Sequence, residues 1–150
     1  MTPPARSLAQ RQADLVAALV SGGPIPAGFD PARVAATADA LLRKRAEEVG
    51  ARWPALRAQL GPQWTEEFRR WARNRPPLGS WRDGWDYARH LGTAGRLGQL
   101  ARAELAEAEV RYRYDGVNPP RRRRFPTLRI AHGAVAVQLG GWVWTFLRRS

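Results

Sequence analysis

The sequence predicts an α+β chain that is mainly α, with a helical N-terminal domain of about six helices followed by a small three-stranded antiparallel sheet. Apolar residues recur every three or four positions as far as residue 112, and every second position from residue 127. The composition agrees with a packed core, since 44% of the residues are hydrophobic and seven are tryptophan. We therefore expect helices over residues 5–114, a basic Pro/Arg hinge over 115–126 and a β meander over 127–148.

Glycine and proline mark the ends of the first three predicted helices. An apolar stripe over residues 6–21 predicts the first helix, which the sequence GGP ends. A second stripe begins at Pro31, with Asp30 before it as a suitable N-cap, and continues to Gly50. The segment RWPALRAQLG, residues 52–61, predicts a short third helix.

The next three helices contain most of the aromatic residues. PQWTEEFRRWARNRPP (62–77) and SWRDGWDYARHLG (80–92) predict the fourth and fifth helices, and a sixth reaches about Tyr112. Their aromatic residues recur at helical spacing, which favours packing in a core over stacking on nucleic-acid bases. The tryptophans with this spacing are Trp64, Trp71, Trp81 and Trp85.

Two turns define the register of the predicted sheet. A two-residue turn at 140–141 and another at 132–133 place the same apolar residues on one face. A small sheet needs a cover on that face, which the helical domain, a second copy or a partner protein could supply. Its outer strands leave unpaired backbone groups to which an extended peptide can add. The predicted cross-strand partners are Leu128 with Val137, Ile130 with Val135, Val135 with Phe146, Val137 with Trp144, and Leu139 with Trp142.

The positive charge is concentrated at the C-terminal end of the chain. The formal net charge is +12; residues 1–118 hold 18 Arg and Lys against all 13 acids, whereas residues 119–150 hold seven arginines and no acid. Four of these arginines, Arg121 to Arg124, lie in the sequence NPPRRRRFP. The flanking prolines favour a hinge that also attracts an acidic peptide. Phosphate binding is the alternative, although no helix-turn-helix, zinc-finger or RNA-recognition signature accompanies the run.

The sequence offers no set of residues for catalysis. Cysteine is absent, and the two histidines, His90 and His132, fall on separate predicted units, so a His/Cys metal site is excluded. Phosphate-binding glycine loops and nucleophile elbows are also missing. Glutamates on the fourth and sixth helices could act as an acid/base pair or as metal ligands, but ion pairing with arginine is favoured. These glutamates are Glu66, Glu67, Glu104, Glu107 and Glu109.

No membrane segment or targeting signal is apparent. The first 23 residues lack a basic stretch followed by a long uncharged run, and no apolar run has the length of a membrane span. We therefore expect a cytoplasmic protein.

Four short motifs in residues 41–108 carry a family resemblance. They are the pair Trp53-Pro54 before ALRAQLG, an aromatic helix that ends in RPP (75–77), DGWDYARHL (83–91) and LARAE (100–104). In this order they resemble the N-terminal helical domain of the HvfC/BufC family, once labelled a DNA-binding domain. Members of that family partner multinuclear non-haem iron-dependent oxidases that modify ribosomally made peptides, and they help to present the precursor peptide. The resemblance implies a partner protein with no cofactor of its own, because the iron belongs to the oxidase.

From the residues and this resemblance together, we predict a non-catalytic protein with two contact surfaces. The helical domain would dock on the oxidase, and the sheet with its arginines would hold the precursor's leader peptide. Nucleic-acid binding through the basic C-terminal region is the alternative function, and an orphan structural subunit is a third. The predicted docking residues are Trp81, Trp85 and Tyr87. The predicted peptide-binding residues are Arg121, Arg122, Arg123, Arg124, Leu128, Arg129, Ile130, Trp142, Trp144 and Arg148.

Overall fold

The chain is mainly helical with a small antiparallel sheet, which confirms the predicted class. In the computed structural model, residues 7–123 are described with their side chains, and residues 127–131, 134–139 and 142–147 are described as backbone. The helices are α1 (Leu8–Ser21), α2 (Pro31–Arg52), α3 (Pro54–Leu60), α4 (Trp64–Ala72), α5 (Ser80–Thr93) and α6 (Gln99–Arg111). The strands are β1 (Tyr112–Arg113), β2 (Arg121–Arg122), β3 (Thr127–Ala131), β4 (Ala134–Leu139) and β5 (Trp142–Leu147).

The element counts differ from the prediction in two places. A turn of 3-10 helix at Gly61–Gln63 joins α3 to α4. A two-stranded ladder, β1 with β2, follows α6; β1 lies at the end of the predicted helical domain, and β2 lies in the predicted hinge. None of the helices in the described ranges is both long enough and apolar enough to cross a bilayer.

Local capping explains where the first two helices begin. Ser7 and Gln10 form a reciprocal capping box, in which each side chain accepts a hydrogen bond from the backbone N–H of the other, at 3.2 and 2.9 Å. α1 ends at Gly22, whose φ of 69° lies in the left-handed region that favours glycine. The predicted N-cap of α2 is confirmed, because Asp30 accepts a hydrogen bond from the Ala32 N–H at 2.9 Å.

The chain divides into two compact units. The first comprises residues 1–48 and 65–77, and the second comprises residues 49–64 and 78–150. The division predicted from the sequence, at residues 114 and 126, stays a prediction. Buried apolar residues of the first unit include Ala18, Val34, Ala46, Phe68 and Ala72. Those of the second include Val49, Trp53, Leu56, Trp64, Trp85, Tyr87, Leu91, Leu97, Leu105, Ala106, Val110 and Tyr114.

The C-terminal strands pair in the predicted register. Their order is β3-β4-β5, all antiparallel, so β4 is central and β3 and β5 are the outer strands. The two predicted turns, at 132–133 and 140–141, lie outside the described residues. The confirmed cross-strand partners are Leu128 with Val137, Ile130 with Val135, Val135 with Phe146, Val137 with Trp144, and Leu139 with Trp142.

Helix α6 lies against all three strands of this sheet and also packs against α3 and α5 within the second unit. Its buried residues point in different directions around the helix axis: Leu105 is on one side, and Ala106 and Val110 are on another. A helix covered on more than one side needs apolar residues on each of them. Among the three predicted covers for the sheet, the structure therefore shows the helical part of the same chain.

Candidate functional site

The aromatic residues at the start of α5 form a stack with α3. The rings of Trp53 and Trp81 lie 4.8 Å apart at an interplanar angle of 25°, and the Trp53 Nε1–H donates to the Trp81 carbonyl oxygen at 3.1 Å. The guanidinium of Arg52 lies 4.9 Å from the centre of the Trp81 ring. Gly84 allows the Trp53 indole to approach α5 this closely. Trp81 is half-buried, and its ring already has partners within the chain.

Two of the three predicted docking residues belong to the core. Trp85 is 0% exposed and packs edge-on against Trp53 and Tyr114, while Tyr87 is 1% exposed and packs against Trp64. Enclosed side chains offer no surface to a partner, so Trp85 and Tyr87 are corrected here from docking residues to core residues. The expectation that Trp64 and Trp85 pack in the core is confirmed. Docking through Trp81 stays a prediction.

A polar network ties the segment after α6 to α5. The Tyr114 hydroxyl donates to Asp86 at 2.9 Å, and Arg89 donates to the Tyr114 carbonyl oxygen at 3.1 Å. Arg82 donates to the Val117 carbonyl oxygen. Burial raises the pKa of both the Asp86 carboxyl and the Tyr114 hydroxyl. The segment is therefore held at several points.

The predicted hinge is a short hairpin as far as residue 123. In the ladder, Tyr112 lies opposite Arg122 and Arg113 lies opposite Arg121. The Arg123 N–H continues the pairing with a 2.9 Å bond to a carbonyl oxygen of α6. We call the segment 112–123 the arginine hairpin. Arg124 and the following two residues lie outside the described residues.

The four predicted arginines have different environments. Arg121 and Arg122 are exposed. Arg123 is half-buried, and its Nε–H donates to two backbone carbonyl oxygens, at 3.2 and 3.3 Å, so it supports the hairpin itself. The ring of Tyr112, the cross-strand partner of Arg122, lies 5.9 Å from the Trp81 ring. Through Tyr112, the structure thus places the predicted docking residue Trp81 near Arg122, one of the predicted peptide-binding arginines.

The remaining predicted peptide-binding residues fall on the outer strands. Leu128, Arg129 and Ile130 belong to β3, and Trp142 and Trp144 belong to β5. In the described ranges, no further strand pairs with the outer edge of either one. Their side chains, and Arg148, lie outside what the structure describes.

A small cleft opens beside the arginine hairpin. Its volume is about 280 Å³, and it is lined by the ladder residues Arg113 and Arg121 and by Asp115, Asn118 and Pro119 of the segment between them. Sequence reasoning missed Arg113, because the helical pattern of α6 runs up to it. The register of a ladder only two residues long is needed to place it opposite Arg121.

Most of the glutamates form ion pairs with arginine, as predicted. The structure describes no group of three or more potential metal-ligating side chains in the ranges where side chains are placed. The pairs, with their N–O distances, are Glu66 with Arg69 at 3.2 Å, Glu67 with Arg70 at 3.2 Å, Glu107 with Arg111 at 2.8 Å and Glu109 with Arg89 at 2.9 Å.

Glu104 has a different role, which the sequence does not reveal. Its two carboxylate oxygens accept hydrogen bonds from the backbone N–H groups of Ala55 and Leu56, at 3.2 and 2.9 Å, and so cap the start of α3 from α6. Burial raises the pKa of the Glu104 carboxyl, and the two backbone hydrogen bonds act in the opposite direction. The group is a structural cap.

Comparison with known proteins gives a family and one long relative. Residues 9–93 match a family model described as SCO6045-like, C-terminal domain. A UPF0276 protein from Streptomyces avermitilis is 38% identical over 143 residues, a match that covers 91% of this chain and 28% of that protein. The chain therefore spans less than a third of the length of the curated relative that it matches. No solved structure matches. Neither description mentions the HvfC/BufC family, so that resemblance depends on the motifs in residues 41–108.

Proposed function

We propose that this chain, which belongs to the SCO6045-like C-terminal domain family, is a non-catalytic partner domain. In this proposal it binds a precursor peptide and presents it to a multinuclear non-haem iron-dependent oxidase. The observation that carries this proposal is the C-terminal sheet. It has the predicted register, α6 lies against it, and each outer strand has one edge that no further strand pairs with in the described ranges.

Strand addition suits a partner that handles a peptide. An unpaired strand edge presents a row of N–H and C=O groups, and an extended peptide satisfies them with main-chain hydrogen bonds that depend little on its sequence. Side chains beside the edge then supply selectivity. We expect Leu128, Ile130, Trp142 and Trp144 to shape the apolar contacts, and the exposed arginines to attract an acidic segment.

The length of the relative supports a protein partner. In the Streptomyces avermitilis protein, the segment similar to this chain makes up 28% of the polypeptide, so a domain of this kind is covalently joined there to a larger protein. Covalent linkage keeps two modules at a high effective concentration relative to each other. A domain that presents a substrate to an enzyme benefits from such proximity. The identity of the partner as an iron-dependent oxidase rests on the motifs in residues 41–108. In this proposal the iron belongs to the oxidase, and the complex acts in the cytoplasm.

Nucleic-acid binding is the second candidate function. It is favoured by the composition of residues 119–150, which contain seven arginines and no acidic residue. Base stacking, however, needs exposed aromatic faces. Trp53, Trp64 and Trp85 are at most 1% exposed, and the Trp81 ring is stacked on Trp53 beside the Arg52 guanidinium. The aromatic residues whose side chains are described therefore support a core more than a stacking platform.

The test uses the intact chain, because ending it at Asn118 would remove the strands that lie against α6. Candidate precursor peptides and oxidases are sought among the genes that neighbour its own, and their products are purified. The leader segment of a candidate peptide is then synthesised with N-methyl groups at alternate backbone nitrogens. N-methylation on the side that faces the strand edge should weaken binding at least tenfold, and N-methylation on the other side should have little effect. Equal binding of both analogues would exclude strand addition. If neither neighbouring product binds the chain, the partner proposal fails.

A further inference from the structure

Arg113 and Arg121 form a like-charged pair in the arginine hairpin. They lie directly opposite each other in the antiparallel ladder, so their side chains leave the ladder on the same side. Like charges in directly opposite positions destabilise a strand pair. Both residues are exposed, and neither guanidinium forms an ion pair or hydrogen bond with another residue in the range 7–123. An anion placed between them would relieve the repulsion.

The cleft beside this pair already contains one carboxylate, which its own turn engages. Asp115 accepts hydrogen bonds from the Val117 and Asn118 backbone N–H groups, at 2.9 and 2.7 Å, and from the Asn118 side chain at 2.8 Å. These bonds hold the pKa of the Asp115 carboxyl well below its usual range. The carboxylate is thus committed to the turn, and the cleft keeps a formal charge of +1 from its two arginines and one acid.

We propose that Arg113 and Arg121 bind the side-chain carboxylate of an acidic residue in an extended peptide. This inference rests on the proposed function and gives it a chemical class of substrate, namely a peptide with Asp or Glu at a defined position. The planar guanidinium group matches the geometry of a carboxylate and can bind it through two parallel hydrogen bonds. A cleft of about 280 Å³ accommodates one acidic side chain.

The composition of the cleft favours a carboxylate over a phosphate. Asp115 stays ionised at the edge of the cleft, and a phosphate with close to two negative charges would meet more repulsion there than a carboxylate with one.

The position of the cleft along the chain, close to β3, favours a peptide as the ligand. Arg121 is six residues before Thr127, the first residue of β3, and an extended chain of six residues spans at most ~20 Å. One peptide of about seven residues can therefore reach both the cleft and the β3 edge.

Arginine side-chain NMR on the full chain tests the site directly. The probe is a capped hexapeptide with one glutamate among threonines and valines, and its control carries glutamine at that position. The glutamate peptide should shift the Nε–H signals of Arg113 and Arg121 in a saturable way, at least tenfold more tightly than the glutamine peptide. Arg113→Gln or Arg121→Gln should remove this preference. Arg122→Gln is the matched control, since residue 122 lies on the other side of the ladder, and it should bind within about twofold of wild type.

Three outcomes would overturn the inference. The first is equal binding of the glutamate and glutamine peptides. The second is a loss of the glutamate preference in R122Q as large as the loss in R113Q or R121Q. The third is tighter binding of random duplex DNA than of the glutamate peptide at Arg113 and Arg121 in 150 mM salt.

The inference and the proposed function can fail separately. If the leader peptide binds normally to R121Q, the cleft is not its anchor, although the partner proposal survives. If the hexapeptides are discriminated and the leader does not bind, the cleft is a carboxylate site and the partner proposal fails.

Discussion

Gly84 on α5 faces the indole ring of Trp53, and a side chain at position 84 would occupy the same space as that ring. Both residues are buried, and Trp53 is also fixed by its hydrogen bond to the Trp81 carbonyl oxygen. Gly84→Ala should therefore lower the free energy of unfolding by about 3 kcal/mol, the upper end of the usual cost of overpacking. Denaturant unfolding followed by tryptophan fluorescence measures this value. A loss below about 0.5 kcal/mol would show that the ring moves aside freely.

Glu104 should matter more for stability than its neighbour Glu107. Glu104→Ala leaves the N–H groups of Ala55 and Leu56 without their acceptors in a half-buried position, which costs about 1–3 kcal/mol. Glu107→Ala is the matched control on the same helix, because it removes only an exposed i,i+4 ion pair with Arg111 and should cost less than about 0.5 kcal/mol. Equal losses in the two variants, measured by denaturant unfolding, would contradict the capping role.

The raised pKa of Glu104 gives a stability change with a defined sign. Folding raises this pKa above its ordinary value of 4.5, so between the two values the folded state binds more protons than the unfolded state. The contribution of Glu104 to stability is therefore complete below about pH 4.5, its unfolded value, and declines as the pH rises through the folded pKa. Glu104→Gln cannot titrate. The difference in unfolding free energy, wild type minus E104Q, should fall with rising pH above 4.5; a rise would contradict this assignment.

Whether a residue's role could be predicted depended on how far apart in the sequence the residue and its contact partners are. Glu107 and Arg111 are four positions apart on one helix, so their ion pair follows from spacing alone. Glu104 bonds to residues 48 and 49 positions earlier, and no local pattern encodes that contact. Trp85 shows a related difficulty: an aromatic residue at helical spacing fits a core or a docking surface equally well until the packing around it is known.

At the level of elements, the sheet was more predictable than the arginine hairpin. Strands β3 to β5 are five or six residues long and alternate, and two independent turns had to agree on one face, which fixed the register. Strands β1 and β2 have two residues each, too few to show a period. The prolines beside the arginine run also pointed to a linker, because proline cannot donate a ladder hydrogen bond. The hydrogen bonds of Asp115 and Tyr114 fix the conformation of the arginine hairpin, and the two short strands give no sequence pattern that predicts it.

Asp115 should control the arginine hairpin without affecting the neighbouring helix. Asp115→Ala removes the acceptors for three hydrogen bonds within the turn. Amide exchange of Arg123, whose N–H donates to the Arg111 carbonyl oxygen, should speed up at least tenfold, while amides in α5 should keep their rates. Equal acceleration in α5 would mean that the whole unit had been destabilised, and an unchanged Arg123 rate would mean that Asp115 does not hold the hairpin.

The same turn should respond to acid in the direction given by its depressed pKa. Folding lowers the pKa of Asp115 below its ordinary value of 3.8, so its contribution to stability is present above pH 3.8 and is lost as the pH falls towards the folded pKa. Protection of the Arg123 amide should therefore decrease below pH 3.8 in wild type, after correction for the intrinsic exchange rate. The Asp115→Asn variant should lack this decrease, and an identical pH profile in D115N would contradict the assignment.

At the scale of the whole molecule, the charge distribution separates the two candidate functions. The chain has a net charge of +12, and residues 119–150 contain seven arginines and no acid, so some affinity for any polyanion is expected. A peptide-presenting domain should lose random duplex DNA between 50 and 200 mM salt, because that affinity comes from counterion release. The glutamate hexapeptide involves a single charge, and its binding should fall by less than about fivefold over the same range. A dissociation constant for duplex DNA that stays below about 1 µM at 150 mM salt would instead favour the nucleic-acid function.

The Arg121→Gln variant should separate the two kinds of binding. It should weaken the binding of duplex DNA only slightly, because DNA contacts are spread over many arginines. It should remove the preference for the glutamate peptide, because the carboxylate contact depends on one pair of arginines.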